Sequence, residues 1–331
     1  MSGQSRAQTL MPSASDALTE RLTDGLLAVE SRLAAVVQHE DEFIAGASQH
    51  LLGGGKRFRP LLTLLSSELG TGVNDAVIDA AVGVELTHIA SLYHDDVMDA
   101  AERRHGKASV NATYDNITAI IVGDLLFGRA SEIVAGLGSE AARIQAQTFV
   151  RLCAGQIRDD RQAPADADPM EHYLGVLADK TGSLIATAAR YGAMFGGCPP
   201  ETVELMRQYG EYIGMVFQLS DDVLDIVSDE SGKTPGTDLR EGVTTLPVLY
   251  ARASTDPADA RLQDLLSHPL VDDAEHAEAL QLMRSHPALD QARRHTASVA
   301  ERAVALLESF GESDALTVLR ALPGQVASRT V

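Results

Sequence analysis

Residues 80–99, AAVGVELTHIASLYHDDVMD, constrain the fold of this 331-residue chain more than any other stretch. The segment is apolar for almost four helical turns and then sets Asp95, Asp96 and Asp99 within five positions. Isolated ionised carboxylates are too costly to bury, so whatever encloses this segment must also supply positive charge.

A second stretch makes the same demand. QLSDDVLD, residues 218–225, places Asp221, Asp222 and Asp225 in another apolar run, 126 residues after the first cluster. Residues four apart share a helix face, so Asp95 with Asp99, and Asp221 with Asp225, form two like-directed pairs. Two such helices facing one another across a bundle would make a pocket of opposed carboxylates. Mg²⁺ suits that pocket, because it takes one or two hard carboxylate ligands and leaves other positions for water and substrate phosphate. A single DDxxD cluster is as easily a solvated helix end; two matched clusters in apolar helices are not.

Apolar residues at three- and four-residue spacing predict helices over 16–37, 74–99, 115–136, 139–159, 169–195, 200–227 and 287–309, the first with an Asp or Ser cap. Strand-like alternation is almost absent, so the expected fold is all-α, with ten or more helices and no sheet. Breakers such as LLGGGKRFRP (51–60) and SDESGKTPGTDLREG (228–242) are too short for interdomain linkers. The expected organisation is a flexible N-terminus, 1–15, and a single helical domain, 16–331.

Hydrophobic content of 45% and charged content of 22% fit a soluble globular protein. No window offers the roughly 18 uninterrupted apolar residues expected of an integral membrane segment. The opening MSGQSRAQTLMPSASD has no apolar signal core, which points to the cytoplasm. Cys153 and Cys198 lack metal-ligand spacing and read as reduced structural thiols. The formal charge of −20 argues against a nucleic-acid partner and repels any anionic substrate. Phosphate chemistry on such a chain therefore needs a local basic patch, metal ions, or both.

The basic patch is present in GGGKRFRP, which offers Lys56, Arg57 and Arg59 ahead of Pro60. It is not a nucleotide-binding P-loop, since Lys56 is followed by Arg and no strand precedes it. Arginine forks hold diphosphate oxygens bidentately and lysine adds a point charge. Arg103 and Arg104 follow the first aspartate cluster, and Lys180 and Lys233 lie in DKTGS and GKTPGTD. His88 sits two turns before Asp95 and faces the same side, whereas Tyr93 and His94 read as packing residues.

In the order GGGKRFRP, HDDVMD, DKTGS, FQLSDDVLD, GKTPGTDLREGVTTLP, the sequence resembles the trans-isoprenyl diphosphate synthase (polyprenyl synthetase) family from about residue 45 to 250. The resemblance implies a large single-domain helical bundle around a deep central cavity, isoprenoid synthase-like, usually a homodimer. It implies head-to-tail transfer, in which isopentenyl diphosphate attacks the cation left by an allylic prenyl diphosphate. Two to three Mg²⁺ ions, shared with substrate diphosphate, would be held by Asp95, Asp99 and Asp221, within clusters completed by Asp96, Asp222 and Asp225. Lys56, Arg59, His88 and His105 match the isopentenyl diphosphate site. Arg103, Arg104, Lys180, Thr181, Gln218 and Lys233 match the surroundings of the allylic diphosphate, with Lys180 also catalytic.

Two positions depart from the family pattern. Val243 stands where the family often has lysine, and a gap-free match puts Arg104 and His105 in the places of an Arg-Arg pair, with Arg103 one residue early. Product length should be set along the first aspartate helix, where Thr87, Ala90 and Ser91 are all small. Some 24 Å of helix lies between Asp79 and Asp95 at about 1.5 Å per residue, so the expected product is all-trans, roughly C30–C45, of the kind used in quinone tails. Tyr93 or Phe127 could narrow the path, and C20 is the alternative product. A class I terpene cyclase would carry an Asn/Ser/Glu second motif, and an HD-type phosphohydrolase would leave the second cluster unexplained. A regulatory subunit of a hetero-oligomeric synthase would tend to lose aspartates that are all present here.

Overall fold

Helix starts are written in side-chain chemistry. Ser15 accepts from Leu18 N–H at 3.2 Å to begin Asp16–Val36, Asn74 accepts from Val77 N–H at 3.0 Å to begin Asp75–Met98, and Asp115 and Asp168 cap Asn116–Gly136 and Pro169–Leu177. The structure is a computed structural model and describes residues 10–104, 106–161, 163–227 and 235–328. Seven predicted helices are present, one of them interrupted by a π turn at Ala178–Gly182. Among the described residues the one departure from helix as regular structure is a pair of two-residue strands, Arg103–Arg104 with Lys107–Ala108. Strands that short leave no alternation to read.

The described chain forms two compact units. One comprises residues up to Val150 with Leu184–Gly210 and Phe310–Leu319; the other comprises Arg151–Ser183, Glu211–Ser309 and residues from Arg320 on. Within the first, Asp75–Met98 is the central helix, packed against Asn116–Gly136, Phe58–Ser67 and Asp16–Val36. A Cβ at Gly83 would stand 2.5 Å from Val134, so the absence of a side chain there lets two helices approach closely. Asp75–Met98 is long and apolar enough to cross a membrane, but 72% of its apolar window is buried in the fold, as expected of a core helix. Met11 is also buried, so packing begins before residue 16.

In the second unit, Leu246–Arg252 packs against Pro287–Ala305 and Pro169–Leu177, and Thr237–Glu241 against Asp273–Ser285. This framework carries the second aspartate cluster near the end of Pro200–Val227.

Candidate active site

In the first unit, the basic loop and the first aspartate cluster are built on adjoining elements. Arg57, just before Phe58–Ser67, has φ 59°, in the left-handed region. Its Nη1 donates to Glu85 Oε1 at 2.8 Å, Nη2 donates to the Leu52 carbonyl, and both charged side chains are buried. Lys56 is exposed, whereas Arg59 is half-buried with its enclosed Nε lacking a hydrogen-bond partner. Burial pulls the Arg59 pKa down and the charge of Glu85 opposes that shift. Half-buried His88 lies one turn beyond Glu85 on the same helix.

The three aspartates of the first cluster have different surroundings. Asp96 is fully buried, and Arg104 Nε donates to its Oδ1 at 2.6 Å; its Oδ2 has no hydrogen-bond partner. Asp95 is half-buried and Asp99 exposed, with Arg104 Nη2 3.9 Å from Asp99 Oδ2. The helical bond from Asp99 N–H to the Asp95 carbonyl, 2.8 Å, keeps this pair one turn apart. Ala100 then turns left-handed, with φ 47°. Arg57 and Ala100 are the two non-glycine residues with positive φ among the described residues, and both border this site.

Within the hairpin the two arginines take different partners. Arg104 reaches the aspartates, while Arg103 Nη2 donates to the Gly106 carbonyl of its own turn at 2.7 Å. His50 Nε2 ties the second strand down by donating to the Ala108 carbonyl at 2.8 Å. His105 and Lys233 lie outside the described residues.

Along the same helix, Ala90 is buried and Ser91 half-buried, its hydroxyl donating to the His88 carbonyl. Thr87 is buried, and Gln145 Nε2 donates to its hydroxyl at 2.6 Å. Tyr93 is a packing residue whose hydroxyl donates to the Ala47 carbonyl at 2.6 Å, and His94 likewise donates to the Ile120 carbonyl. Phe127 meets Phe149 in a tilted ring contact, with centres 4.4 Å apart and planes at 56°.

In the second unit, the π turn carries Lys180 and Thr181. Such turns concentrate at functional sites. A Cβ at Gly155 would come within 2.4 Å of the Lys180 backbone nitrogen, so glycine permits the contact. Lys180 Nζ donates to Asp159 Oδ2 at 2.5 Å, while Arg151 joins Asp179 and Glu211. No local pattern in the sequence marks Asp159, whose partner lies 21 residues on.

Asp222 is buried in a cage of neutral donors. The Tyr173 hydroxyl and Leu246 N–H donate to Oδ2, and Gln218 Nε2 donates to Oδ1 at 3.3 Å. Burial nevertheless pushes its pKa up to about 6, against the pull of those hydrogen bonds. Asp225 accepts from Thr237 N–H and Asp238 N–H, at 3.1 and 3.2 Å, and so seats the short helix Thr237–Glu241. Asp221 is half-buried.

Among the described residues no group of three or more His, Cys, Asp or Glu side chains is placed to hold a metal alone. The available donors are hard carboxylate oxygens, one turn apart on a helix. A cation that completes its shell with water and phosphate suits that donor set.

The polyprenyl synthetase family model matches residues 41–283. A nonaprenyl diphosphate synthase of Mycobacterium tuberculosis is 46% identical, over 89% of this chain and 90% of that protein. Heptaprenyl diphosphate synthase component 2 of Geobacillus stearothermophilus is 35% identical, over 93% and 97%. The crystal structure of geranylgeranyl pyrophosphate synthase from Corynebacterium glutamicum, complexed with calcium and isoprenyl diphosphate, has a TM-score of 0.86 at 40% identity, covering 96% of this chain and 98% of that one. The chain belongs to the polyprenyl synthetase family, and its fold is the helical fold of isoprenyl diphosphate synthases.

Proposed function

We propose that this prenyltransferase is a trans-polyprenyl diphosphate synthase, adding isopentenyl diphosphate to an allylic diphosphate. The observation that carries the reading is the pairing of half-buried Arg104 with buried Asp96, between Asp95 and Asp99 in the sequence. It sets a positive charge against the middle aspartate, between two carboxylates one helical turn apart that suit a metal–diphosphate.

We assign metal holding to Asp95, Asp99 and Asp221. We assign positioning to Asp96, Asp222 and Asp225, which accept from Arg104, from Gln218 and from Thr237 N–H. Two to three Mg²⁺ ions bound there supply Lewis-acid charge against the departing diphosphate. Lys56, Arg59 and His88 orient isopentenyl diphosphate, and Arg104, Lys180, Thr181 and Gln218 orient the allylic partner. Buried Ala90 and its apolar neighbours keep water from the carbocation. The relatives named nonaprenyl and heptaprenyl synthases support a medium-to-long product. One observation favours a shorter, C20 product: the Gln145 bridge over Thr87, two turns beneath Asp95.

We further propose a cytoplasmic homodimer. Free thiols at Cys153 and Cys198 fit a reducing compartment. Ile117 and Ile121, 70% and 60% exposed, present uncovered apolar surface one turn apart, with Val150 67% exposed on a neighbouring helix. A second copy would cover it. The Geobacillus relative is named as one component of a synthase, so a different partner subunit is the rival occupant. The test is to incubate the purified chain with Mg²⁺, farnesyl diphosphate and labelled isopentenyl diphosphate, and to resolve the products by length. A ladder ending at one long product is expected. No incorporation by a folded, dimeric chain overturns the reading.

A further inference from the structure

The left-handed backbone at Arg57 is costly for any residue but glycine, yet an arginine occupies it. Its side chain must therefore contribute something a glycine would not. It engages Glu85 at 2.8 Å and the Leu52 carbonyl, with Glu30 a further 3.9 Å from its Nε. Glu85 is 3% exposed and Arg57 5%, so this is a buried ion pair on the central helix, one turn before His88.

A second guanidinium, Arg59, stands in the first turn of Phe58–Ser67, the helix that packs against the one carrying Glu85, and feels that carboxylate's charge. Of the two arginines, Arg57 is the one hydrogen-bonded to this carboxylate. Arg59 keeps an enclosed, unpartnered Nε. A guanidinium left with open donors is the group that grips a diphosphate bidentately. Were Arg57 absent, buried Glu85 would be without its ion pair, a strongly unfavourable state that drawing in Arg59 relieves.

We propose that Arg57 is a positioning residue for the isopentenyl diphosphate subsite, occupying the Glu85 carboxylate so that Arg59 stays available to the diphosphate. This rests on the proposed function of that subsite. It explains why the strained position holds an arginine.

The decisive variants are Arg57→Gly, which relieves the backbone strain while removing the ion pair, and Arg57→Gly with Glu85→Gln. Arg57→Gly is expected to raise KM for isopentenyl diphosphate about tenfold, the scale of one charge-assisted contact, with kcat and the KM of the allylic primer within about twofold. The double variant removes the competing carboxylate and is expected to bring that KM back to within about threefold of wild type. A purely structural role for the pair gives no such selectivity and no such recovery. An unmoved KM in Arg57→Gly, or a double variant no better than the single one, overturns the proposal. Glu85→Gln alone is expected to leave this KM at or below the wild-type value, and a rise overturns the proposal whether or not Arg57→Gly folds. Wild-type enzyme that incorporates no isopentenyl diphosphate sinks the function itself, and the subsite with it.

Discussion

Asp96 and Asp222 hold the same place in two copies of one motif, and both are buried. Their surroundings solve the same problem differently. Asp96 meets the guanidinium of Arg104 at 2.6 Å, a full opposite charge. Asp222 meets a phenol, an amide and a backbone N–H, all neutral, and its pKa is pushed up to about 6. The repeated motif therefore specifies a carboxylate at the helix turn, not the means of stabilising it. One cluster is wired to an arginine hairpin and the other to the hydrogen-bond framework of its own unit.

The largest effect should come from the carboxylates assigned to metal. Replacing Asp95 and Asp99 together by Ala should cut kcat/KM at least ~10³-fold with helical content by circular dichroism unchanged, since it removes the charge that holds the metal–diphosphate. Unaltered turnover would break the assignment. Next comes the ion pair itself. Arg104→Ala leaves Asp96 buried and unpaired and should cost about 3–5 kcal/mol in urea unfolding, and adding Asp96→Asn should recover part of that loss. Equal stability of the single and double variants would show that the pairing is not what holds Asp96.

The contrast sharpens with pH. Asp222 has a folded-state pKa above its unfolded value, so the native chain binds the extra proton between about pH 4 and 6. Its contribution to stability is present at the acid end of that window and is lost as pH rises through about 6, by about 3 kcal/mol at full effect. The difference in unfolding free energy between wild type and Asp222→Asn should carry this slope from pH 4 to 7; a flat difference would refute it. The smallest effect on rate is expected further along the first helix. Ala90→Phe should keep early condensation rates within about threefold while shortening the final product, because it fills buried space rather than removing a ligand. An unchanged product ladder would place the growing chain elsewhere.

Helices were legible because their determinants are local. Residues 200–227 were readable from spacing alone, and the helix predicted over 287–309 ends at Ala305. The π turn at Ala178–Gly182 was not, because its residues are compatible with an ordinary helix and the extra residue per turn leaves no compositional mark. Side-chain partners were the least legible part of the site. Tyr173 reaches Asp222 across 49 residues, and Gln145 reaches Thr87 across 58. The aspartates, the basic loop and His88 were picked out by residue type and order. What surrounds them depends on which helices meet, and one-dimensional spacing does not encode that.

The central helix also has a consequence for synthesis of the chain. Asp75–Met98 finds part of its cover, Asp16–Val36 and Phe58–Ser67, already made when it emerges, but Asn116–Gly136 follows later. At roughly 5–20 residues per second on the ribosome, an apolar face destined for the interior waits a few seconds for its largest neighbour. During that interval it is a natural target for the holding chaperones that guard nascent hydrophobic segments. The feature that makes the fold secure once complete is the one that leaves it most vulnerable while it is being built.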